Sequence, residues 1–162
     1  WIFGDNMEEE MGHLPFLGFY ILSGFAAAYL QHLPNVLSAV PMVGASGAIA
    51  GVMGGYLLLF PKARVDVFIF FVIFFRILPI PSFIVLGLWM GLQVFNGLGS
   101  DLNGGGTAYW AHVGGFVAGF VMTIPVWLRR GGSRYWDRTS GHPPHPETHY
   151  PKSSIPLIRR QK

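Results

Sequence analysis

Three long stretches of this chain contain no Asp, Glu, Lys or Arg, and they constrain its fold more than any other feature. They cover residues 11–61, 77–100 and 102–128. A helix needs about 20 apolar residues, or ~30 Å, to cross the hydrocarbon core of a bilayer. Only 12% of the residues are charged, about half the fraction usual in a soluble domain. The sequence therefore predicts an all-α, polytopic membrane protein.

The charge-free stretches can be divided into individual helices. The first is long enough for two crossings, and the polar, proline-containing residues 31–35 interrupt it. The apolar residues 67–75 are too few to span and precede Pro79 and Pro81, so we predict an interfacial or re-entrant segment there. Four complete spanning helices are predicted, over residues 14–31, 43–60, 81–98 and 108–128.

The positions of the basic residues predict the orientation of these helices. Lys62, Arg64 and Arg76 lie between the second and third predicted helices, and the other eight basic residues follow residue 128. Antiparallel helices place both groups on one side, which the positive-inside rule makes cytoplasmic. We predict a membrane core over residues 1–128 and a disordered, basic cytoplasmic tail over residues 129–162.

Composition also excludes several functions. The chain has no cysteine, which argues against a disulfide scaffold or a zinc finger. Its net charge of +3 is not spread over a folded surface, so no nucleic-acid partner is predicted. The histidines of the tail could bind a transition metal weakly, but the prolines between them oppose helical ligand spacing, so a solvated tail with no metal site is expected. No cofactor is predicted. A channel or ion-coupled transporter usually needs charged residues within the membrane, and the predicted helices have none.

Two polar residues in the predicted helices are candidates for chemistry. Ser46 lies near the start of the second helix and His112 near the start of the fourth, at comparable depth on the non-cytoplasmic side. An imidazole can take the proton of a serine hydroxyl, which is a weak nucleophile without such assistance. We predict Ser46 as the nucleophile and His112 as the general base and acid. The Ser46 backbone N–H at the helix N-terminus could stabilise an oxyanion.

Small residues predict close contact between these two helices. They repeat every four residues, a pattern that lets transmembrane backbones approach, and Gly44 permits a tight turn before the serine. The alternative is that the stripes are ordinary packing and that the serine bonds its own backbone. The predicted packing residues are Gly47, Gly51, Gly55, Ala111, Gly115 and Gly119.

These motifs resemble a known family. Gly44-Ala45-Ser46-Gly47 and Ala111-His112-Val113-Gly114-Gly115 are similar to motifs of the rhomboid intramembrane serine proteases. Residues 1–8, 86–89 and 105–119 resemble a bacterial-type subgroup. The resemblance covers residues 1 to about 128 and implies an N-terminally truncated core, from the end of the second of six helices to the sixth. Residues 81–98 would then be the helix associated with lateral substrate access.

The resemblance implies an endopeptidase that cleaves transmembrane or juxtamembrane segments of other proteins in a bacterial inner membrane. Ser46 and His112 would form a dyad with no third residue to orient the imidazole. The family's additional oxyanion donors would lie upstream of Trp1, so we expect little activity from this chain alone. Ala50 replaces a tyrosine that stacks on the histidine in many relatives, so either another side chain, such as Phe116 or Tyr109, restrains the ring or the ring is less restrained.

Two further interpretations follow from the same residues. Gln93 and Asn96 share one face near the outer end of the third predicted helix. They could contact a substrate backbone, but a helix–helix hydrogen bond is the expected role. The alternative function is a catalytically inactive rhomboid-like protein that binds membrane clients. Such a protein would be expected to lose the serine or the histidine, and this chain retains both.

Overall fold

The computed structural model describes residues 2–34, 44–71, 74–100 and 106–144. Its helices enclose a small apolar core around the central helix, and a two-stranded antiparallel hairpin follows that helix. In chain order the elements are α1 (Gly4–Met11), α2 (His13–His32), α3 (Ser46–Leu59), β1 (Arg64–Phe71), β2 (Phe74–Pro81), α4 (Ser82–Gly99), α5 (Tyr109–Arg129) and α6 (Ser133–Thr139).

The long helices confirm a polytopic helical membrane protein. α2, α4 and α5 have 20, 18 and 21 residues and are apolar enough to span a bilayer. Large apolar side chains on them point outward, such as Phe95 at 73% and Leu98 at 74% exposure, as a lipid-facing surface requires. α3 has only 14 residues, or ~21 Å. The helix predicted over 43–60 is therefore shorter than expected, because the chain turns at Gly44 with φ +126° and Pro61 follows its end.

α3 lies at the centre of the bundle and packs closely against α2 and α5. Ten of its residues are buried. A Cβ on Gly115 would collide with the carbonyl of Gly47, and one on Gly119 would collide with the backbone of Gly51. Such backbone contact is possible only where both helices present glycine, since any side chain would separate them.

The segment after α3 forms a β-hairpin, which sequence reasoning did not anticipate. β1 and β2 pair antiparallel from Arg64 opposite Pro81 to Phe71 opposite Phe74. The arms are rich in Val, Ile and Phe, which favour strands, and pairing satisfies their backbone groups without the length that a spanning helix needs. Whether the hairpin lies at a membrane interface stays a prediction.

The hairpin ends at a junction with the end of α3. The Ser82 hydroxyl donates a 2.6 Å bond to the Phe60 carbonyl, and the Ser82 N–H donates to the Ala63 carbonyl at 2.7 Å. The Ser82 N–H lies in the first turn of α4, where backbone N–H groups have no acceptor within the helix. Its bond to the Ala63 carbonyl satisfies this donor. The C-terminal end of α3 and the N-terminal end of α4 are thereby joined.

The prediction of a disordered tail from residue 129 was wrong for its first part. α6 packs on the bundle, with Tyr135 only 3% exposed and the Trp136 indole N–H donating to the Leu58 carbonyl at 3.0 Å. Trp127 and Trp136 lie with ring centroids 4.9 Å apart. The average composition of this segment is polar, but Tyr135 and Trp136 give α6 enough apolar surface to pack on the bundle. The rest of the predicted tail, residues 145–162, lies outside the described residues.

Candidate active site

Ser46 is the first residue of α3, directly after the turn made by Gly44 and Ala45. Ala45 is the N-cap and makes no side-chain capping bond, and the Ile49 N–H bonds to the Ala45 carbonyl at 3.0 Å. The N–H groups at the start of a helix have no partner within it. Ser46 therefore combines an exposed hydroxyl with the donor-rich, electropositive end of a helix dipole.

His112 lies one turn into α5, and the structure places it beside Ser46. The Ser46 Oγ lies 3.0 Å from His112 Nε2, within hydrogen-bond distance. The adjacent contacts explain how a short side chain reaches the ring: Gly47 packs against Ala111 and Gly115, with the Ala111 carbonyl 3.5 Å from the position of a Cβ on Gly47. Of the residues predicted from sequence, Ser46 and His112 are thus brought together across the α3–α5 contact.

α4 supplies two contacts to His112 that sequence reasoning did not assign. The Nδ1–H of His112 donates to Gln93 Oε1 at 2.8 Å, although no third residue was expected to orient the ring. Trp89 lies 5.7 Å from His112 between ring centroids, whereas Phe116 or Tyr109 was expected in that role. Phe116 instead supports Trp89, at 6.1 Å. Gln93, one of the few polar residues of an apolar helix, was the signal, but its partner could not be inferred from spacing.

The predicted packing residues occupy the α3–α5 contact. Gly55 faces Thr123 of α5 and also Met7 of α1, each at 2.5 Å from the position of an added Cβ. Gln31 of α2 was not predicted to matter, yet its Oε1 accepts a 3.0 Å bond from the Ala111 N–H. A glutamine of a neighbouring helix therefore satisfies an N-terminal donor of α5, next to His112.

Comparison with known proteins identifies the family of this chain. The sequence family described as Rhomboid domain matches residues 1–129. The chain belongs to the rhomboid family. This confirms the resemblance at the level of the family, and Ser46 and His112 both lie inside the matched residues.

Two curated rhomboid relatives are similar over most of the chain. "Rhomboid protein 1, mitochondrial" of Saccharomyces cerevisiae is 30% identical over 128 residues, which cover 75% of this chain and 34% of that protein. "RHOMBOID-like protein 4" of Arabidopsis thaliana is 30% identical over 128 residues, covering 78% of this chain and 28% of that protein. This rhomboid chain thus spans about a third of their length. No solved structure matches it.

Proposed function

We propose that this rhomboid-family protein is an intramembrane serine endopeptidase that cleaves transmembrane or juxtamembrane segments of membrane proteins. The observation that supports this best is the 3.0 Å separation between Ser46 Oγ and His112 Nε2. A hydroxyl at this distance from an imidazole is the arrangement of an activated serine nucleophile. The two residues come from different helices and lie 66 positions apart in sequence, so local backbone bonding does not account for the contact.

The proposed reaction follows from the geometry. His112 Nε2 takes the proton of the Ser46 hydroxyl as Oγ attacks the scissile carbonyl carbon, and the C=O electron pair moves onto oxygen. The Ser46 backbone N–H, at the N-terminus of α3, is positioned to donate to that oxyanion. His112 then returns the proton to the leaving amine as the peptide C–N bond breaks. A water molecule hydrolyses the resulting acyl ester by the same proton transfers.

The surroundings of the dyad favour substrates from the bilayer. Ser46 is exposed, His112 is half-buried, and both lie near the outer ends of apolar helices. α4, which borders His112, carries the exposed side chains Phe95 and Leu98 and would be in contact with lipid. A transmembrane segment could therefore approach the dyad laterally, with no need for a soluble binding cleft.

The proposed orientation of the protein in its membrane rests on the distribution of its basic residues. The Lys and Arg pattern supports a C-terminal tail on the cytoplasmic side. A bacterial inner membrane, a bacterial-type subgroup and a truncated N-terminus stay predictions from sequence, and the two similar proteins come from a yeast and a plant.

The proposal predicts that Ser46→Ala and His112→Ala each abolish cleavage. The complete gene product would be reconstituted in liposomes with a fluorogenic transmembrane substrate, and residual turnover should fall at least about 10³-fold, because nucleophile and base act as one unit. Matched controls are Ser133→Ala and His13→Ala, which replace an exposed serine and an exposed histidine away from the dyad. Wild-type turnover in either dyad variant would contradict the proposal. Specific binding of membrane segments with no cleavage by the wild type would favour the client-binding alternative.

A further inference from the structure

We propose that Gln93 is a positioning residue that holds His112 in the tautomer able to accept the serine proton. This inference rests on the proposed peptidase function and extends it to a third residue. Its basis is the pair of hydrogen bonds at the imidazole: Nδ1 lies 2.8 Å from Gln93 Oε1 and Nε2 lies 3.0 Å from Ser46 Oγ. The two contacts lie on opposite nitrogens of one ring.

The tautomer follows from the chemistry of the two partners. An amide oxygen only accepts hydrogen bonds, so Nδ1 must carry the proton that is donated to Gln93. In a neutral imidazole the other nitrogen then has a free lone pair. That lone pair lies at Nε2, which faces Ser46. The opposite tautomer would present an N–H to the hydroxyl and could not remove its proton.

A neutral amide suits this position because the site is inside an apolar bundle. Gln93 is 9% exposed, and the stretches 11–61, 77–100 and 102–128 contain no Asp or Glu. A carboxylate would accept the same bond but would cost more to place in a membrane helix. The amide supplies the acceptor without that charge, and Trp89, from the same helix, packs against the ring from the side.

The contact joins two helices. Gln93 is on α4 and His112 is on α5, 19 residues later. Gly97, about one turn after Gln93, also packs on α5, with Trp110 3.3 Å from the position of an added Cβ. Gln93 and Trp89 therefore supply the described polar and ring contacts of α4 with the histidine, on a helix face that packs against α5.

The experiment compares Gln93→Met with Gln93→Glu in the complete gene product. Methionine keeps the length and suits an apolar helix, but its thioether is a poor acceptor. Glutamate keeps an acceptor oxygen in either protonation state and suits the membrane less. We expect Gln93→Met to lower kcat about 10- to 100-fold. KM, expressed as the mole fraction of substrate in the bilayer, should change less than about threefold. Gln93→Glu should be less stable than Gln93→Met yet more active.

This inverted order separates a positioning role from a structural one. If Gln93 served only packing, activity would follow stability and the methionine variant would be the more active. Labelling of Ser46 by a fluorophosphonate probe should fall in parallel with kcat in Gln93→Met, since the probe needs the activated hydroxyl but no transmembrane substrate. Thr123→Val is the matched control, because it removes a buried polar group whose hydroxyl donates to the Gly119 carbonyl within α5, about three turns from the histidine; its labelling rate per folded molecule should stay within about threefold of wild type.

The outcomes distinguish this inference from the proposed function. Wild-type kcat and labelling in Gln93→Met, with Ser46→Ala inactive, would overturn the role of Gln93 and leave the dyad intact. Lower activity in Gln93→Glu than in Gln93→Met would also overturn it. Unchanged cleavage in Ser46→Ala would overturn the peptidase proposal itself.

Discussion

At the scale of single residues, the Glu10 carboxylate connects the first and last helices described. The Tyr135 hydroxyl donates to Glu10 Oε1 at 3.0 Å, and Arg130 Nε lies 2.8 Å from Oε2. Burial, reinforced by the adjacent Glu10 carboxylate, raises the pKa of Tyr135 above its ordinary value. The phenol therefore keeps its proton, and its role as donor, well into alkaline solution.

The sign of this shift gives a pH-dependent prediction. The folded protein retains the Tyr135 proton where the unfolded chain loses it, so the associated stability is complete below about pH 10 and declines above it. Tyr135→Phe should lower the free energy of unfolding by about 1 kcal/mol at pH 8 and show a smaller further loss towards pH 11. Thermal melts followed by tryptophan fluorescence would measure both. Equal alkaline losses in the two proteins would contradict the assignment.

The contact between Ser46 and His112 was predictable because their depth in the two helices and the motifs around them are visible in the sequence. Gln93 was visible as a polar residue, but its partner depends on how α4 is rotated about its axis and tilted. Those quantities are set by packing against other helices. Spacing within a helix does not contain them, so the sequence indicated a helix–helix hydrogen bond without naming the histidine.

At the scale of elements, the backbone contact between α3 and α5 sets the distance between Ser46 and His112. Gly119 faces the Gly51 backbone directly, whereas Gly91 of α4 has no atoms within 4 Å of an added Cβ. The same substitution therefore has opposite consequences on two helices of one protein.

We predict that Gly119→Ala destabilises the protein by about 1–3 kcal/mol, because the added methyl group must push α5 away from α3. Cleavage should fall as Ser46 and His112 separate. Gly91→Ala is the control and should be neutral or stabilising by up to about 1 kcal/mol, since alanine favours a helix over glycine. Detergent-based unfolding and turnover assays on both variants would test this. Similar stability of the two variants would argue against the close backbone contact.

The elements that sequence reasoning missed, the hairpin and α6, are not membrane-spanning helices. The hairpin was indicated only as a short apolar segment, because its strand pairing depends on contacts between residues up to 17 positions apart, as between Arg64 and Pro81. α6 was missed because a seven-residue helix is too short to produce a periodic apolar pattern. The spanning helices were predictable since length and absence of charge are sufficient signals for a bilayer crossing.

At the scale of the whole molecule, the bundle presents its dyad and its basic segments at opposite ends. Thr107 lies just before α5, near His112, and Ser133 lies at the start of α6, and both are exposed. The chain contains no cysteine, so an introduced cysteine would report one position alone.

We predict that Thr107→Cys and Ser133→Cys react with a membrane-impermeant maleimide from opposite sides. In right-side-out vesicles only Thr107→Cys should be labelled, and permeabilisation should add Ser133→Cys. The cysteine-free parent controls for background. Labelling of both variants from one side would contradict the predicted topology, and labelling of Ser133→Cys alone would reverse the orientation.

For the proposed peptidase, the peripheral position of α4 has a consequence for when reaction can occur. Only 17% of its apolar stretch is buried, the same share as in α2 and less than the 39% of α5, yet α4 carries both Gln93 and Trp89. If α4 moved outward to admit a client, both side chains would leave the imidazole in a single displacement. The serine would then be unreactive while the bundle stood open, and hydrolysis would begin only after reclosure around a bound segment. This coupling would protect membrane proteins that contact the open site without binding in it.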